Sequence, residues 1–355
     1  METALATNAS SPAEPLISII MPVRDWRSTT ASAAISILEQ SYQPLELLLI
    51  GQADTQELAR RLQQARLHDA RIRILGRQAP GIVGALNTGL AAARGEYIGR
   101  MDDDDIAYPT RLASQLDYLR KHPEVQLCAT RVRFIDKDGS EKGVAQGNRR
   151  YAHWLNHLTT PTPLALACHA ENPMPHPTLM AHRRVWNTLG GYRELDGPED
   201  HDLMLRAMLQ GIGMGKPEAV LQDWREHDAR LTRTDTRYRR QAFVNRSAWA
   251  IVQPGGALGS EDARGVWIAG TGKHARFWHD ALIAQGVEVY GFVDMASRSQ
   301  GRCKRSRPVI SYEQLALERD TALLVSAVTQ PDARVAIKTF CAIQGWTEGL
   351  DFIVG

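Results

Sequence analysis

The chain lacks any apolar run that approaches the ~20 residues needed to span a bilayer. Its four cysteines are far apart and form no CxxC pair, so neither a zinc site nor a disulfide framework is indicated, which fits a reducing cytoplasm. Neither sign of charge dominates, with 42 Lys and Arg against 40 Asp and Glu, so nothing indicates a general affinity for nucleic acid. We therefore expect a cytoplasmic protein, soluble or at most peripheral to the inner face of a membrane.

The ends of the domains are predicted from length and composition. A chain of 355 residues favours two domains, and residues 253–264 are rich in Gly, Ser and Pro, as linkers are. Residues 1–15 have neither the basic nor the apolar region of a signal peptide, and we expect a disordered leader there. The predicted domains are therefore 16–252 and 265–355.

Short apolar runs alternate with amphipathic segments from Leu16 onward. The runs LISIIMPV, LELLLIG, RIRIL and EYIGRM are predicted strands, and segments such as TQELARRLQQARL and PTRLASQLDYLRKH are predicted helices. This alternation predicts a wound α/β sheet with parallel strands. The region from about Gly139 to Pro177 is rich in His and Pro and is predicted to be irregular. A helix at EDHDLMLRAMLQG follows it.

Four consecutive aspartates, Asp102 to Asp105, follow the strand EYIGRM. Ligands of open parallel sheets bind beyond the carboxyl ends of the strands. On an extended segment Asp102 and Asp104 project to the same side, and two carboxylates suit Mg²⁺ or Mn²⁺, which prefer oxygen ligands. Taken alone, the run is equally consistent with a solvated acidic loop.

Several ordered segments resemble the family 2 glycosyltransferases of the GT-A fold. They are ISIIMPVRD, AISILEQSYQPLELLLIG, GIVGALNTGLAAARGEYIGRMDDDDIAYPTRLASQL and HPTLMAHRRVWNTLGGYRELDGPEDHDLMLRA, in this order between about Leu16 and Arg233. The resemblance implies a GT-A domain with a wound mixed sheet over 16–252. It also implies an inverting, metal-dependent transfer of a sugar from a nucleoside-diphosphate sugar to a hydroxyl acceptor, in cell-surface polysaccharide or glycoconjugate synthesis.

The resemblance also implies roles for individual residues. Asp104 and Asp102 would hold Mn²⁺ or Mg²⁺ and the donor, and Asp200 would take the proton from the acceptor hydroxyl. The other positions assigned to the donor are Pro22, Val23, Arg24, Asp25, Asp54, Asn87, Arg100, Asp103, Arg225 and His227. The positions assigned to the acceptor are His176, Glu199 and Trp224. His176, between two prolines, is equally consistent with a turn histidine.

The sequence does not predict a single nucleotide or a single acceptor. UDP is favoured, and dTDP or GDP stay open, because Gly51 and Gln52 stand where many relatives have two aspartates that help to read a uracil base. The acceptor is expected to be a saccharide or a lipid-linked molecule. Seven arginines between Arg225 and Arg246 would favour an anionic, phosphate-linked acceptor by long-range attraction.

The C-terminal segment has a second candidate site. Gly270 and Gly272 lie at a strand-to-helix turn, and the next strand ends at Asp294. Such a turn lets a phosphate approach the N–H groups at the start of a helix, and the acid can bond a ribose hydroxyl. Residues 265–355 resemble the small Rossmann-like nucleotide-binding domains of bacterial sugar-modifying enzymes. Two alternatives for the whole chain are a non-catalytic sugar-nucleotide-binding protein and an NAD(P)-linked sugar oxidoreductase.

Overall fold

The computed structural model describes residues 14–228, 230–259, 262–318 and 321–355, so most of the expected leader lies outside the described residues. The strands are β1 (Ile17–Pro22), β2 (Leu45–Gly51), β3 (Ile72–Gly76), β4 (Tyr97–Arg100), β5 (Ile106–Ala107), β6 (Leu127–Cys128), β7 (Arg131–Ile135), β8 (Met180–His182), β9 (Met214–Gly215), β10 (Val220–Arg225), β11 (Gly265–Ala269), β12 (Val289–Val293), β13 (Cys303–Lys304), β14 (Arg307–Ile310), β15 (Ala322–Ser326) and β16 (Phe352–Val354). The helices are α1 (Ser28–Leu38), α2 (Gln56–Gln64), α3 (Gly81–Ala92), α4 (Arg111–Lys121), α5 (Gln146–His157), α6 (Pro161–Ala167), α7 (Arg183–Leu189), α8 (Glu199–Leu209), α9 (Leu231–Thr234), α10 (Arg240–Ile251), α11 (Lys273–Ala284), α12 (Tyr312–Leu315) and α13 (Pro331–Ile343).

The first sheet has seven strands in the order β3-β2-β1-β4-β8-β6-β9. The strands β3, β2, β1 and β4 are parallel, whereas β8 runs antiparallel to both of its neighbours. Ile17 pairs with Leu45 and Pro22 with Ile50, so the two central strands end at the same edge. The predicted wound, mixed α/β sheet is confirmed.

The apolar runs form strands because both faces of this sheet are covered. All seven residues of β2 are buried. Ile19 and Leu47 pack with Ile37 of α1 on one face. Ile20 and Leu48 pack with the residues of α3 on the other. A central parallel strand is buried on both sides, which accounts for continuous apolar sequence rather than alternation.

A separate three-stranded sheet, β5-β10-β7, lies at the edge where β4 ends. Its strand β10 runs antiparallel to β5, so it brings Arg225 and the residues after it to the aspartates that precede β5. The prediction that residues 139–177 are irregular is wrong for two stretches, because α5 and α6 form there. The helix α5 packs on β7, with Tyr151 against Phe134, and this tertiary contact offsets a polar sequence.

A six-stranded sheet in the order β13-β14-β12-β11-β15-β16 contains the C-terminal strands. Only β13 is antiparallel to its neighbour; the other pairs are parallel. The helix α10 shares the core of this sheet, where Val244 and Ile251 pack with Ile268 and Trp278. The helix α10 precedes the predicted linker 253–264, yet it packs on the sheet that follows this linker. The domain boundary therefore stays a prediction. Within the described residues, none of the helices has the length and hydropathy of a membrane span.

Candidate active site

A cleft of about 420 Å³ lies at the carboxyl edge of the first sheet. The loop between β4 and β5 forms one side of it, and the first turn of α8 forms another. Side chains of Trp224, Glu226, His227 and Arg230, and side chains of α5, also line it. This position agrees with the rule that ligands of wound sheets bind beyond the strand ends.

The four aspartates of the β4–β5 loop have different partners. Asp105 is fully buried and accepts hydrogen bonds from the Gln222 side chain and from the Arg225 backbone N–H, both at 2.8 Å. Asp102 forms an ion pair of 2.8 Å with Arg100. The Thr30 hydroxyl donates to Asp103 at 3.4 Å. Asp105 therefore holds the loop in place, and the other three carboxylates line the cleft.

Negative charge is concentrated in this loop. Burial, followed by the charge of the Asp104 carboxylate, raises the pKa of Asp103 to about 7. Burial also raises the pKa of Asp102, although the Arg100 guanidinium opposes that shift. Carboxylate oxygens of Asp102, Asp104 and Asp105 lie within 4.8 Å of one another. Both carboxylate oxygens of Asp105 already accept hydrogen bonds from the protein. Asp102 and Asp104 are therefore the pair that fits a hard divalent cation.

Two cationic or polar side chains face Asp104. Its Oδ2 atom lies 2.7 Å from Nε2 of His227 and 3.3 Å from Nη1 of Arg27. His227 follows β10, and Arg27 directly precedes α1. The imidazole can serve as a metal ligand when neutral or bond a phosphate when protonated. The carboxylate, the imidazole and the guanidinium thus meet at one point of the cleft.

Asp200 lies in the first turn of α8 and faces the same cleft. Its Oδ1 atom accepts a hydrogen bond of 2.7 Å from the backbone N–H of His201, and its Oδ2 atom accepts one of 2.9 Å from Nδ2 of Asn172. The neighbouring Asp202 is fully buried between Arg206 and Arg246, so it is structural. Asp200 is the least buried of the three carboxylates in this turn.

Glu199 lies beside Asp200 and is almost fully buried. The Tyr238 hydroxyl donates to its Oε2 atom at 2.7 Å. Burial, followed by the Asp200 charge, raises the pKa of Glu199 to about 7. His176 is buried as well, with Nε2 2.8 Å from the Tyr192 hydroxyl, and burial holds its pKa well below the usual value. Both side chains line the cleft.

A third carboxylate near Asp200, that of Glu171, gives a test of these charges. Burial, followed by the Asp200 charge, raises the pKa of Glu171 to about 7. A raised carboxyl pKa contributes stability that is present below the unfolded value of 4.5 and is lost as the pH rises through 7. Glu171→Gln is therefore expected to raise Tm at pH 8.5 by about 2 to 3 °C, the change that ~1 kcal/mol gives in large domains, and to change it little at pH 4.5.

Differential scanning fluorimetry at the two pH values checks this expectation. Glu218→Gln is the matched control, because Glu218 is exposed and lies away from the cleft. Equal shifts of Glu171→Gln at both pH values would contradict the charge argument.

The structure brings most of the predicted site residues together. Those that line the cleft are Pro22, Arg24, Arg100, Asp102, Asp103, Asp104, His176, Glu199, Asp200, Trp224 and His227. Those that do not are Val23, Asp25, Asp54, Asn87 and Arg225.

The side chains outside the cleft have other partners. Asn87 bonds the backbone of Tyr192 through both ends of its amide. Asp54 accepts from the backbone N–H of Gln56, and Asp25 pairs with Arg24. The Arg225 guanidinium donates to backbone carbonyls, among them that of Asp104. The sequence assigned Arg225 to the donor, whereas in the structure it braces the aspartate loop.

Sequence reasoning missed several residues of the cleft. Arg27 contributes positive charge. Arg230 does so as well, and sequence reasoning placed it only in the cluster of seven arginines; it lies over the Trp224 ring at 4.7 Å. Asn172 and Glu171 lie beside Asp200, in the region that the sequence predicts to be irregular. None of these residues belongs to a local motif, and they reach the cleft only through contacts distant in sequence.

The C-terminal sheet has a second, larger cavity of about 770 Å³. It is lined by the turn that contains Gly270 and Gly272, by Asp294, and by Arg240 from α10. Gly270 has φ +98°, a conformation that favours glycine. The Thr271 hydroxyl donates to Asp294 at 2.5 Å. The three predicted C-terminal residues therefore border one cavity.

Comparisons with known proteins place the chain in a family. The family model "Glycosyl transferase family 2" matches residues 18–185. EpsE of Bacillus subtilis (strain 168) is 32% identical over 228 residues, which cover 62% of this chain and 77% of EpsE. The chain belongs to glycosyl transferase family 2. The O-antigen biosynthesis glycosyltransferase WbnJ of Escherichia coli is 29% identical over 195 residues, covering 54% of this chain and 72% of WbnJ.

Solved structures agree in fold. A structure of S. aureus TarS 1-349 in complex with UDP-GlcNAc has a TM-score of 0.51 and 14% identity, covering 67% of each chain. At this identity the likeness shows the fold alone, and it is the GT-A fold that was predicted. Two further relatives are much longer proteins. The matched part of this family 2 chain covers 26% of the length of one and 16% of the length of the other.

Proposed function

We propose that this family 2 glycosyltransferase transfers a sugar from a nucleoside-diphosphate sugar, with UDP as the favoured nucleotide, to a hydroxyl acceptor with inversion. One observation carries the proposal: the aspartate loop and Asp200 line the same cleft, so a cation-binding pair and a base face one substrate. The TarS neighbour was solved with UDP-GlcNAc, which supports a UDP-sugar donor. The relative WbnJ acts in O-antigen biosynthesis, which supports a saccharide or lipid-linked acceptor in polysaccharide assembly.

The proposed reaction is a single displacement. Asp200 accepts the proton of the acceptor hydroxyl as the hydroxyl oxygen forms a bond to the anomeric carbon of the donor. The bond between that carbon and the diphosphate oxygen breaks, and its electron pair leaves with the diphosphate. Asp102 and Asp104 would hold Mn²⁺ or Mg²⁺, which when bound offsets the charge of the leaving diphosphate. His227 and Arg27 would bond the diphosphate oxygens.

For residues 265–355 we propose a Rossmann-like domain that takes a nucleotide in the second cavity. The glycine turn, the acid at Asp294 and the size of the cavity support this assignment. The ligand would be anionic, because Lys273 and Arg240 also line the cavity.

Thermal stabilisation by UDP, GDP, dTDP, CMP and NAD, each with and without Mn²⁺, tests both sites. A ligand that binds the native state raises its stability by about 2.7 kcal/mol at 100 times Kd. We expect one nucleoside diphosphate to stabilise the protein only with Mn²⁺. Release of that nucleotide from its sugar conjugates then identifies the donor.

The other outcomes of this experiment are also decisive. Stabilisation by none of the nucleoside diphosphates would contradict the proposed donor site. Stabilisation that ignores Mn²⁺ and persists in Asp104→Ala would place the nucleotide in the C-terminal cavity instead. A change in nicotinamide absorbance with a sugar nucleotide would support the oxidoreductase alternative.

A further inference from the structure

Asn172 is held in a fixed orientation beside Asp200. It is 5% exposed and lies in the loop between α6 and β8. Its Oδ1 atom accepts a hydrogen bond of 2.9 Å from the backbone N–H of Met174. A backbone N–H can only donate, so the other end of the amide must be the NH₂ group, and that end lies 2.9 Å from Oδ2 of Asp200.

Two side chains from other parts of the chain hold the backbone of the loop around Asn172. The buried Lys216, which directly follows β9, donates to the carbonyl oxygen of Pro173 at 2.9 Å and to that of Leu155 in α5. The Ser247 hydroxyl donates to the carbonyl of His169 at 2.9 Å. The backbone is therefore held on both sides of Asn172, which limits the freedom of its side-chain amide to follow Asp200.

The two hydrogen bonds to Asp200 fix the plane of its carboxylate. The His201 N–H, from the same helix, bonds Oδ1, and Asn172 bonds Oδ2. An ionised carboxylate has about four lone-pair sites, so each oxygen keeps a free site for a substrate proton. Without Asn172 the side chain would be held through Oδ1 alone and could rotate about its χ2 angle, which is a soft torsion.

We propose that Asn172 is a positioning residue for the catalytic base Asp200. It holds Oδ2 so that a free lone pair faces the acceptor hydroxyl. The inference rests on the proposed function, because it gives Asp200 the role of base. A base that is misplaced by ~1 Å can lose about 100-fold in rate, which sets the upper limit of the effect expected when this contact is removed or made repulsive.

Asn172→Asp is the sharpest variant, because it keeps the shape and the acceptor for Met174 but replaces the donor by an oxygen. We expect kcat for nucleotide release from the identified donor to fall about 100-fold, with the KM for the donor changed less than about threefold. In Asn172→Ala there is no repulsion between carboxylates, and kcat for nucleotide release is expected to fall about 10-fold. Asn156→Asp is the matched control, since the Asn156 amide bonds the Val132 backbone in the same way and does not line the cleft that the described residues form.

A double-mutant cycle with Asp200→Asn separates positioning from general loss of structure. If Asn172 acts through Asp200, Asn172→Asp lowers kcat less than about threefold in the Asp200→Asn background. The Tm that Asn172→Asp loses is expected to return in the double variant, because Asn at position 200 can then donate to Asp at position 172.

Each result of the cycle decides the proposal. Equal loss of kcat in both backgrounds would overturn it and leave Asn172 a structural residue. Recovery of Tm without any loss of kcat in Asn172→Asp would confirm the contact and overturn its role in catalysis. Absence of nucleotide release from the wild type with every sugar nucleotide would overturn the proposed function, and this inference with it.

Discussion

The Asp200→Asn variant is expected to lower kcat for sugar transfer by about 10²- to 10⁴-fold, the usual contribution of a general base. The substitution keeps the shape of the side chain and leaves an oxygen to accept from the His201 N–H. It removes the capacity to accept a proton from the acceptor hydroxyl, and it also replaces the oxygen that accepts from Asn172 by an NH₂ group.

Donor binding should survive this substitution. The aspartate loop and residues 225–227 are held by contacts that do not involve Asp200, such as the bonds from Gln222 and Arg225 to Asp105. Thermal stabilisation by the nucleotide with Mn²⁺ is therefore expected to equal that of the wild type. Measuring both quantities separates a base from a residue that only shapes the cleft.

Asp196→Asn is the matched control for this variant, because Asp196 is exposed and lies four residues earlier in the chain. It should transfer sugar at the wild-type rate. A kcat of Asp200→Asn within about threefold of the wild type would exclude Asp200 as the base. Glu199, whose carboxyl is buried against Tyr238, would then be the next carboxylate to test.

The parts of the fold that could be predicted are those in which burial alone decides the local structure. The run LELLLIG became β2 with the predicted ends, because a strand that is covered on both faces is apolar along most of its length. Its one charged residue, Glu46, is buried and paired with Arg73. The strand β5 has two residues, Ile106 and Ala107, and exists only because β10 pairs with it. No periodicity of two or 3.6 residues could indicate such an element.

The residues of the candidate site also fall into those that a local pattern indicates and those that only long-range contacts bring together. The aspartates and Asp200 were found because each lies in a contiguous motif that resembles a family. Arg27 reaches Asp104 across 77 positions of sequence, and His227 across 123. Asn172 reaches Asp200 across 28 positions, from a segment whose local composition predicted no regular structure. Such pairings are fixed by the packing of the sheets and cannot be deduced from one chain's composition.

Asp104→Asn is expected to abolish the Mn²⁺-dependent stabilisation by the nucleotide and to lower transfer by about 10³-fold or more. Removing one charged ligand leaves Asp102, already paired with Arg100 at 2.8 Å, as the remaining carboxylate for a cation. The amide also weakens the attraction for His227 and Arg27, which face Asp104 in the free protein. These effects act in the same direction, because each loosens the contacts that the diphosphate needs.

Chelation of the metal provides the complementary measurement. EDTA should reduce the wild type to the level of Asp104→Asn, and it should change the variant no further, since both treatments remove the same interaction. Asp138→Asn, an exposed aspartate outside the cleft, is the control for the loss of one negative charge. Fluorimetry and nucleotide release, each with and without EDTA, complete the comparison.

If EDTA leaves nucleotide binding and nucleotide release by the wild type unchanged, the side chains around Asp104 would have different roles. The Arg27 guanidinium and the His227 imidazole already lie 3.3 Å and 2.7 Å from the carboxylate that is proposed to hold the metal. If nucleotide binding needed no cation, these two side chains would carry the charge of the diphosphate, and Asp104 would serve to orient them. Arg27→Ala would then abolish binding, whereas in the metal-dependent reaction it should weaken binding about 10-fold, the loss of one charge-assisted contact of ~1.4 kcal/mol.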